Sequence, residues 1–444
     1  MILFYSEEIN PRINYITRLI FTQILGNEVI FTSNSSSFQK SDKPKINYSY
    51  EKFDDEFYIK PHRLLYCKAM INPDFKSVWY EGEKYFFESS KDSDLPFDPL
   101  AASFYLVTRH EEYLEEERGK YNRYPAERSV LSKYELLKKP VVNIWAWLLA
   151  KKLSEKYPEL VFKKTKFQFY STIDIDNAWA FLHKGLWRSA GAIAKSVLKG
   201  KVSEAKKRFS VWSGGSPDPY DTYGYLDSVF KGNEDKIRFF FLLGDYARHD
   251  KNLPYRNKHL RNLVKQTNKK YTVGIHPSFS SSKKKGKKKL TKEIQRLEQI
   301  TGEKVEKSRQ HFLRLKMPGT YKRLLKNGIL EDYTMGYSSH SGFRAGICTP
   351  YFFYDLKKER ETKLRIVPFQ VMDVTLRDYM QLNSEKAKQE ILDLMREVKN
   401  VGGTFVSIWH NETVNDLEGW KGYREVFEEM NRTGFKWAHE ERAT

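Results

Sequence analysis

Between Phe167 and His410, short apolar segments alternate with longer amphipathic ones, and a polar residue able to do chemistry closes almost every apolar segment. Strands that alternate with helices argue a parallel sheet, because parallel neighbours need a crossover and the crossover is usually a helix. The closing residues are Asp174 with Asp176, Asp245, His276, Arg309 with His311, Asp332, Asp373 and His410. In a parallel sheet or barrel the strand C-termini share one side, and active sites are built there. Random surface decoration would not return to strand ends so regularly. The pattern predicts a parallel α/β core with its chemistry on one face.

The first of these strands carries the strongest signal. Phe167 to Asn177 reads FQFYSTIDIDN, aromatic and β-branched residues leading into two carboxylates one isoleucine apart. On a strand Asp174 and Asp176 point to one face, and Ile173 and Ile175 pack away from it. Carboxylates this close repel unless a metal, a proton or another cation sits between them. Taken alone, the pair could equally cap the helix that follows. Further strands are expected at Arg238 to Gly244, Tyr271 to Pro277, Arg309 to Leu313, Lys363 to Asp373 and Thr404 to His410. Amphipathic helices are expected at Leu290 to Ile300, Tyr321 to Asn327 and Glu385 to Val401. A basic helix over Leu186 to Leu198 and a turn-rich stretch over Val211 to Pro219 suggest a helical insertion around 180–230, lying over the site.

Residues 1–155 read as a separate, smaller α+β unit, consistent with a chain of 444 residues, too long for one ordinary core. Strands are expected at Glu28 to Thr32, Ile46 to Tyr50, Arg63 to Ala69, Ser77 to Tyr80 and Tyr85 to Phe87. Helices are expected at Pro11 to Leu25, from an Asp98 cap and Pro99 onward, and at Pro140 to Ala150. Arg109-His110-Glu111-Glu112 is compact and charged, but contiguous helical residues fan out, so salt bridges suit it better than a metal. The two cysteines, Cys67 and Cys348, exclude a disulfide framework and suit a reducing compartment. The N-terminus lacks a basic region followed by an apolar run, and no stretch is long enough to span a bilayer, so a cytoplasmic location is expected.

A formal charge of +20 suits an anionic partner: nucleic acid, a membrane surface, or an anionic glycan or lipid-linked sugar. Much of the excess sits in runs such as Lys283 to Lys289, which are commonly solvated loops. No helix-turn-helix, zinc finger or aromatic-basic motif points to nucleic acid. A weak contact with an anionic membrane surface stays open.

Carboxylates and histidines gathered at strand ends suit a hydrolase that uses a divalent metal, Zn²⁺ foremost, to activate water and polarise a carbonyl. The ordered set, covering about residues 165 to 430, resembles the polysaccharide deacetylase (NodB-homology) family. Thr172-Ile-Asp-Ile-Asp176 resembles its first motif, Gly274-Ile-His-Pro-Ser278 its second, Arg309-Gln-His-Phe312 its third and Ser407-Ile-Trp-His410 its last. Phe239 to Leu243 resembles its Phe-rich second strand.

The resemblance implies a distorted (β/α) barrel with Asp174 as general base, Asp176 and His276 as metal ligands, Arg309 orienting Asp174, and His410 as general acid. It also implies a carbohydrate or lipid-linked sugar as substrate. The segment ending FDPLAASFYLVTRHEEY resembles the N-terminal domain of unknown role found on such deacetylases in Bacteroidota-type bacteria. Two positions depart from the pattern. Ser280 stands where the family carries a second metal-binding His, and His311 stands where it carries Pro. A neutral hydroxyl is a poor ligand, so His311 is the first candidate for the missing one, ahead of Asp245 and His249. A glycosyltransferase using Asp-Ile-Asp on a nucleotide-sugar, a haloacid-dehalogenase-type phosphatase, and a deacetylase-fold protein without activity are the alternatives. The first lacks a nucleotide-binding half upstream, and the second wants its motif near the chain start followed by Gly-Thr.

Overall fold

The computed structural model describes residues 1–440 apart from 74, 116, 186–190, 192, 193, 195, 199, 284 and 285. Its N-terminal part is built on β1 (Ile2–Tyr5), a buried apolar strand flanked by β2 (Val29–Thr32) and β3 (Lys45–Asn47), with β4 (Phe57–Tyr58) beyond. These four pair in parallel in the order β2-β1-β3-β4. β5 (Ser77–Tyr80) and β6 (Glu83–Phe86) form a separate antiparallel hairpin. The strand expected over Arg63 to Ala69 is instead a short 3₁₀ turn at Arg63–Leu65, where the His62 ring accepts from Leu64 N. The helix Pro99–Val107 begins as its sequence dictates. Asp98 Oδ1 accepts from the amides of Leu100 and Ala101 at 3.0 and 2.9 Å, and Pro99 occupies the first turn. Every residue of that helix is buried, which explains why it is apolar all round rather than on one stripe.

The larger part is a ring of parallel strands. β7 (Gln168–Ile175), β8 (Ile237–Phe241), β9 (Thr272–Ile275), β10 (Lys307–Ser308) and β11 (Glu331–Asp332) follow one another in sequence and in space. β12 (Tyr351–Asp355) and β13 (Arg360–Ile366) form an antiparallel hairpin whose second strand pairs in parallel with β11. β14 (Val371–Met372) then pairs with β15 (Thr404–His410), which returns to β7 over seven residues from Thr404 to His410.

β13 and β14 stand near opposite ends of the sheet order, yet only Val367 to Gln370 separates them in sequence. That segment closes the ring. Val367 N donates to Asp332 O at 2.9 Å, Phe369 N to Met335 O at 3.1 Å and Gln370 N to Val406 O at 3.0 Å. The single strand expected over Lys363 to Asp373 is therefore two, split at Pro368, whose missing N–H interrupts the ladder. Gln370 bridges the split with its side chain, its Oε1 accepting from Val406 N at 2.7 Å and its Nε2 donating to Pro368 O at 3.3 Å. The result is a distorted (β/α) barrel.

Alternation of side chains sorts the strand residues into two cores. Phe240, Tyr333, Val367, Phe369, Val406 and Ile408 fill the ring's interior. Phe239, Phe241, Phe169, Ile173, Phe405 and Trp409 face outward into the larger core shared with the helices. Gly274 on β9 is required by this packing, since a Cβ there would lie 2.7 Å from the Phe240 ring and 2.8 Å from Lys307 O.

The helices Lys287–Thr301, Gly319–Lys326 and Ser384–Asn400 match the expected positions. The helix expected over Leu186 to Leu198 falls largely outside the described residues. The described part of the insertion holds the helices Val202–Trp212 and Tyr223–Phe230. Asp218 organises the insertion by accepting from the amides of Ala180, Phe181 and Leu182 at 2.7–2.9 Å.

The two parts share one continuous apolar core, and a buried charge cluster fastens them. Arg109 donates to Glu112 at 2.9 Å and to Glu111 at 2.5 Å, while Arg344, from the barrel, donates to both oxygens of Glu112 at 2.8 Å. The charged run at 109–112 is thus made of salt bridges, as expected, with a barrel residue as the additional partner. Among the described residues no helix is long and apolar enough to cross a membrane. Both cysteines are free thiols, and Cys348 is buried.

Candidate metal centre and active site

On β7 the inward residues run Tyr170, Thr172, Asp174, and the chain leaves the ladder just after Ile175, so Asp176 stands at the mouth of the barrel. Ile173 and Ile175 are buried on the outer side, the division expected from the sequence. His276 follows the end of β9, His311 lies just beyond β10, and His410 ends β15. Their rings turn toward Asp176. His276 Nε2 is 3.1 Å from Asp176 Oδ1, His311 Nε2 is 3.3 Å from Oδ2, and His410 Nε2 is 3.9 Å from Oδ2.

Each imidazole is fixed through its other nitrogen. His276 Nδ1–H donates to Arg309 O at 2.6 Å, His311 Nδ1–H to Asp250 Oδ1 at 3.1 Å, and His410 Nδ1–H to Asp373 Oδ1 at 3.0 Å. Such partners set the tautomer and leave each Nε2 to face the site.

One ligand atom from each of Asp176, His276 and His311 can be chosen so that all lie within 4.8 Å of one another. Asp176 Oδ1 is buried without a hydrogen-bond donor. A carboxylate whose two oxygens each face an imidazole nitrogen is a donor set that fits a divalent cation with an open coordination position. Burial opposes charge on Asp176, but the facing His311 and His276 prevail and hold its carboxyl well below the usual range. For His311, burial favours the neutral ring, yet Asp176 and Asp250 outweigh it and push the pKa up to about 9.

Ser280 lies outside this donor set and instead holds a carboxylate behind it. Its hydroxyl and amide donate to Asp250 Oδ2 at 2.7 and 3.1 Å, and Phe279 N donates to Oδ1 at 2.7 Å. The carboxylate so held is the one that orients His311. Asp245, also considered as a ligand, turns away to Arg296 at 2.5 Å, and His249 stacks on Phe279 with centroids 4.3 Å apart. The strand expected over Arg309 to Leu313 is only Lys307–Ser308. A turn at His311–Leu313 with positive φ at Phe312 and Leu313 swings the His311 ring into the mouth. Asp332 is buried at its strand tip but is tied to Ser308 and Thr334, with burial raising its pKa to about 6.

The remaining expected residues flank the centre. Arg309, fully buried, donates from Nη1 to Asp174 Oδ1 at 2.8 Å and from Nε to Tyr333 O at 3.0 Å, its guanidinium 4.6 Å from the Phe240 ring centroid. The other oxygen of Asp174 lies 3.8 Å from His276 Nε2. On the opposite side, burial works against charge on His410, but Asp373 and then Asp176 and Asp174 raise its pKa well above the usual value.

Beside these groups opens a cavity of about 700 Å³ whose lining includes Asn177, Phe181, Tyr220, Arg377, Glu412 and Trp420. Burial lifts the Glu412 carboxyl, next to His410 in space, to about 7. Asp250 and Glu412 were not singled out in the sequence, since both sit in loops where no periodicity marks them. Neither was the rim from the N-terminal part, where Arg123 donates to Ser338 Oγ at 2.7 Å and Tyr121 packs on Phe312 at 4.8 Å.

Residues 2–158 match the model of a family of unknown function, DUF7033. No curated protein matches the chain. Solved structures similar to it include a protein of Mycobacterium smegmatis assigned as a polysaccharide deacetylase, with 15% identity over 61% of this chain and 84% of that one and a TM-score of 0.40. A polysaccharide deacetylase of Bacillus cereus shares 13% identity over 60% and 88%, with a TM-score of 0.31. A protein of Pseudomonas aeruginosa assigned to the same class shares 13% over 61% and 85%, with a TM-score of 0.38.

Proposed function

We propose that the chain is a metal-dependent hydrolase of the carbohydrate-deacetylase kind, removing an N-acyl or O-acyl group from a cell-surface glycan or its precursor. The observation that carries this reading is the convergence of Asp176, His276 and His311, with the Arg309–Asp174 pair on one side and the Asp373–His410 pair on the other. A divalent cation held by the three ligands, Zn²⁺ from the nitrogen-rich donor set, would polarise the acyl carbonyl and acidify water.

Asp174 is the general base. Arg309 occupies its Oδ1, which leaves Oδ2 to take the proton of the attacking water. His410 is the general acid. Asp373 retains the Nδ1 proton, so Nε2 is the atom that protonates the leaving nitrogen or oxygen. Arg309 acts through Asp174 as a positioning residue. The cavity beside Asn177 and Glu412 has aromatic walls, Phe181, Tyr220 and Trp420, suited to the apolar faces of sugar rings.

Release of acetate from N-acetylated oligosaccharides by Zn²⁺- or Co²⁺-loaded protein tests the reading. Release that disappears in Asp174→Asn supports it. Tight metal binding with no release from any acylated glycan would make the chain a glycan-binding protein on a deacetylase fold.

A further inference from the structure

A second cavity, of about 930 Å³, lies on the same rim of the barrel, and its lining is charged in one sense only. One wall is Lys283 together with Lys287 and Lys288 at the start of the helix Lys287–Thr301. Another is Arg314 and Lys316, just past the turn that carries His311. The helix Gly319–Lys326 adds Lys322, Arg323 and Lys326. Among the described residues eight basic side chains thus line the cavity, and no carboxylate does. Among the described residues only Lys322 of the eight meets an acid, Asp355 at 2.9 Å.

The two arginines are built in. Arg314 donates from Nε to Tyr121 O at 2.8 Å and from Nη1 to Phe279 O at 3.2 Å, and Arg323 donates to the carbonyls of Ser282 and Lys283 at 3.1 Å. Burial lowers the pKa of both, and Arg323 lowers that of Arg314 further. Half-buried cations gathered without counter-charge repel one another, and a bound anion removes that cost.

A chain of hydrogen bonds links the cavity to the candidate metal centre. Phe279, whose carbonyl Arg314 holds, gives its amide to Asp250, and Asp250 holds His311.

We infer that this cavity binds a multiply charged phosphate group carried by the substrate, so that the acyl-bearing sugar at Asp176 is attached to a diphosphate or to phosphodiesters. The guanidinium N–H groups not given to carbonyls can donate to phosphate oxygens, and the lysines neutralise the remaining charge. The cavity beside Glu412, aromatic and mixed in charge, has no such bias. The substrate assignment rests on the hydrolase reading; the phosphate binding does not.

The test titrates inorganic pyrophosphate into the full-length protein by calorimetry, with Lys287→Glu/Lys326→Glu beside wild type, because both side chains are exposed and their loss does not disturb packing. Wild type should bind with an affinity that falls as salt rises, and the double variant should bind at least tenfold more weakly with Co²⁺ affinity unchanged. Turnover of a nucleoside-diphosphate-linked N-acetyl sugar should fall in the variant while turnover of an uncharged N-acetyl oligosaccharide does not. Equal pyrophosphate binding by both proteins, or none by wild type, overturns the site. Sedimentation with phosphatidylglycerol vesicles in the absence of pyrophosphate binding overturns the substrate assignment in favour of a membrane surface. Loss of Co²⁺ binding with pyrophosphate binding retained would strike the hydrolase reading alone.

Discussion

At the scale of single residues, the proposed centre separates groups that would hold a cation from groups that would move protons. Asp174→Asn keeps the size and the Arg309 contact while removing the base. It should cost on the order of 10²–10⁴-fold in turnover, with Co²⁺ affinity unchanged; loss of metal with residual turnover would instead make Asp174 a ligand. His311 must give up its Nε2 proton to bind a cation, and that proton is held with a pKa of about 9. Cation affinity should therefore rise with pH up to about 9, by as much as about tenfold per unit, and level off above it. Calorimetry in buffers of different ionisation enthalpy should show a proton released at pH 7, and absence of release would contradict the assignment. A raised His410 pKa keeps the acid form present through neutrality, so the alkaline limb of the activity profile should be set by His410. His410→Ala should lose that limb, which a bell unchanged in the variant would rule out. Asp174, Asp176, His276, Arg309 and His410 were legible because each ends a strand whose alternation is visible in the sequence. Asp250 was not, since its role depends on a loop meeting another loop. Ser280 reads from the sequence as a lost ligand, because its hydrogen bond to Asp250 joins two loops that no local pattern connects.

At the scale of elements, two joints carry weight out of proportion to their size. Gln370 spans the interruption at Pro368, and the sequence shows the proline but not which side chain bridges the split. Gln370→Ala would leave Val406 N buried without an acceptor, and about 1–3 kcal/mol of stability should be lost; an unchanged denaturant midpoint would mean that backbone relaxation suffices. Glu112 joins the N-terminal part to the barrel by accepting from both Arg109 and Arg344. Glu112→Ala strands the buried Arg344 guanidinium and leaves Arg109 with Glu111 alone, and should cost about 3–5 kcal/mol, read as a lowered urea midpoint. A loss below about 1 kcal/mol would show that Glu111 alone neutralises the cluster. The charged character of 109–112 was plain from composition, but the arginine that completes it lies far along the chain, and no local pattern connects the two.

At the scale of the whole molecule, the barrel was foreseeable as a class and its closure was not. Alternating strands and helices predict parallel pairing, but ring formation depends on Val367 to Gln370 crossing from β11 to β15, a consequence of three-dimensional path rather than of periodicity. Closure is what brings β7, β9, β10 and β15 to one mouth, so the metal centre is a property of the ring and not of any motif. It also sets the cavity beside Glu412 and the basic cavity toward the mouth, with residues 121–123 of the N-terminal part close by. The central claim is that His311, with Asp176 and His276, completes a three-ligand cation site in which Ser280 has only a supporting role. Titration of Co²⁺ into wild type and His311→Ala, followed by visible absorption at pH 8, tests it most directly. Wild type should bind stoichiometrically with the strong bands of a four-coordinate ion, and the variant should bind at least a hundredfold more weakly. Equal, weak binding by both proteins would contradict the account.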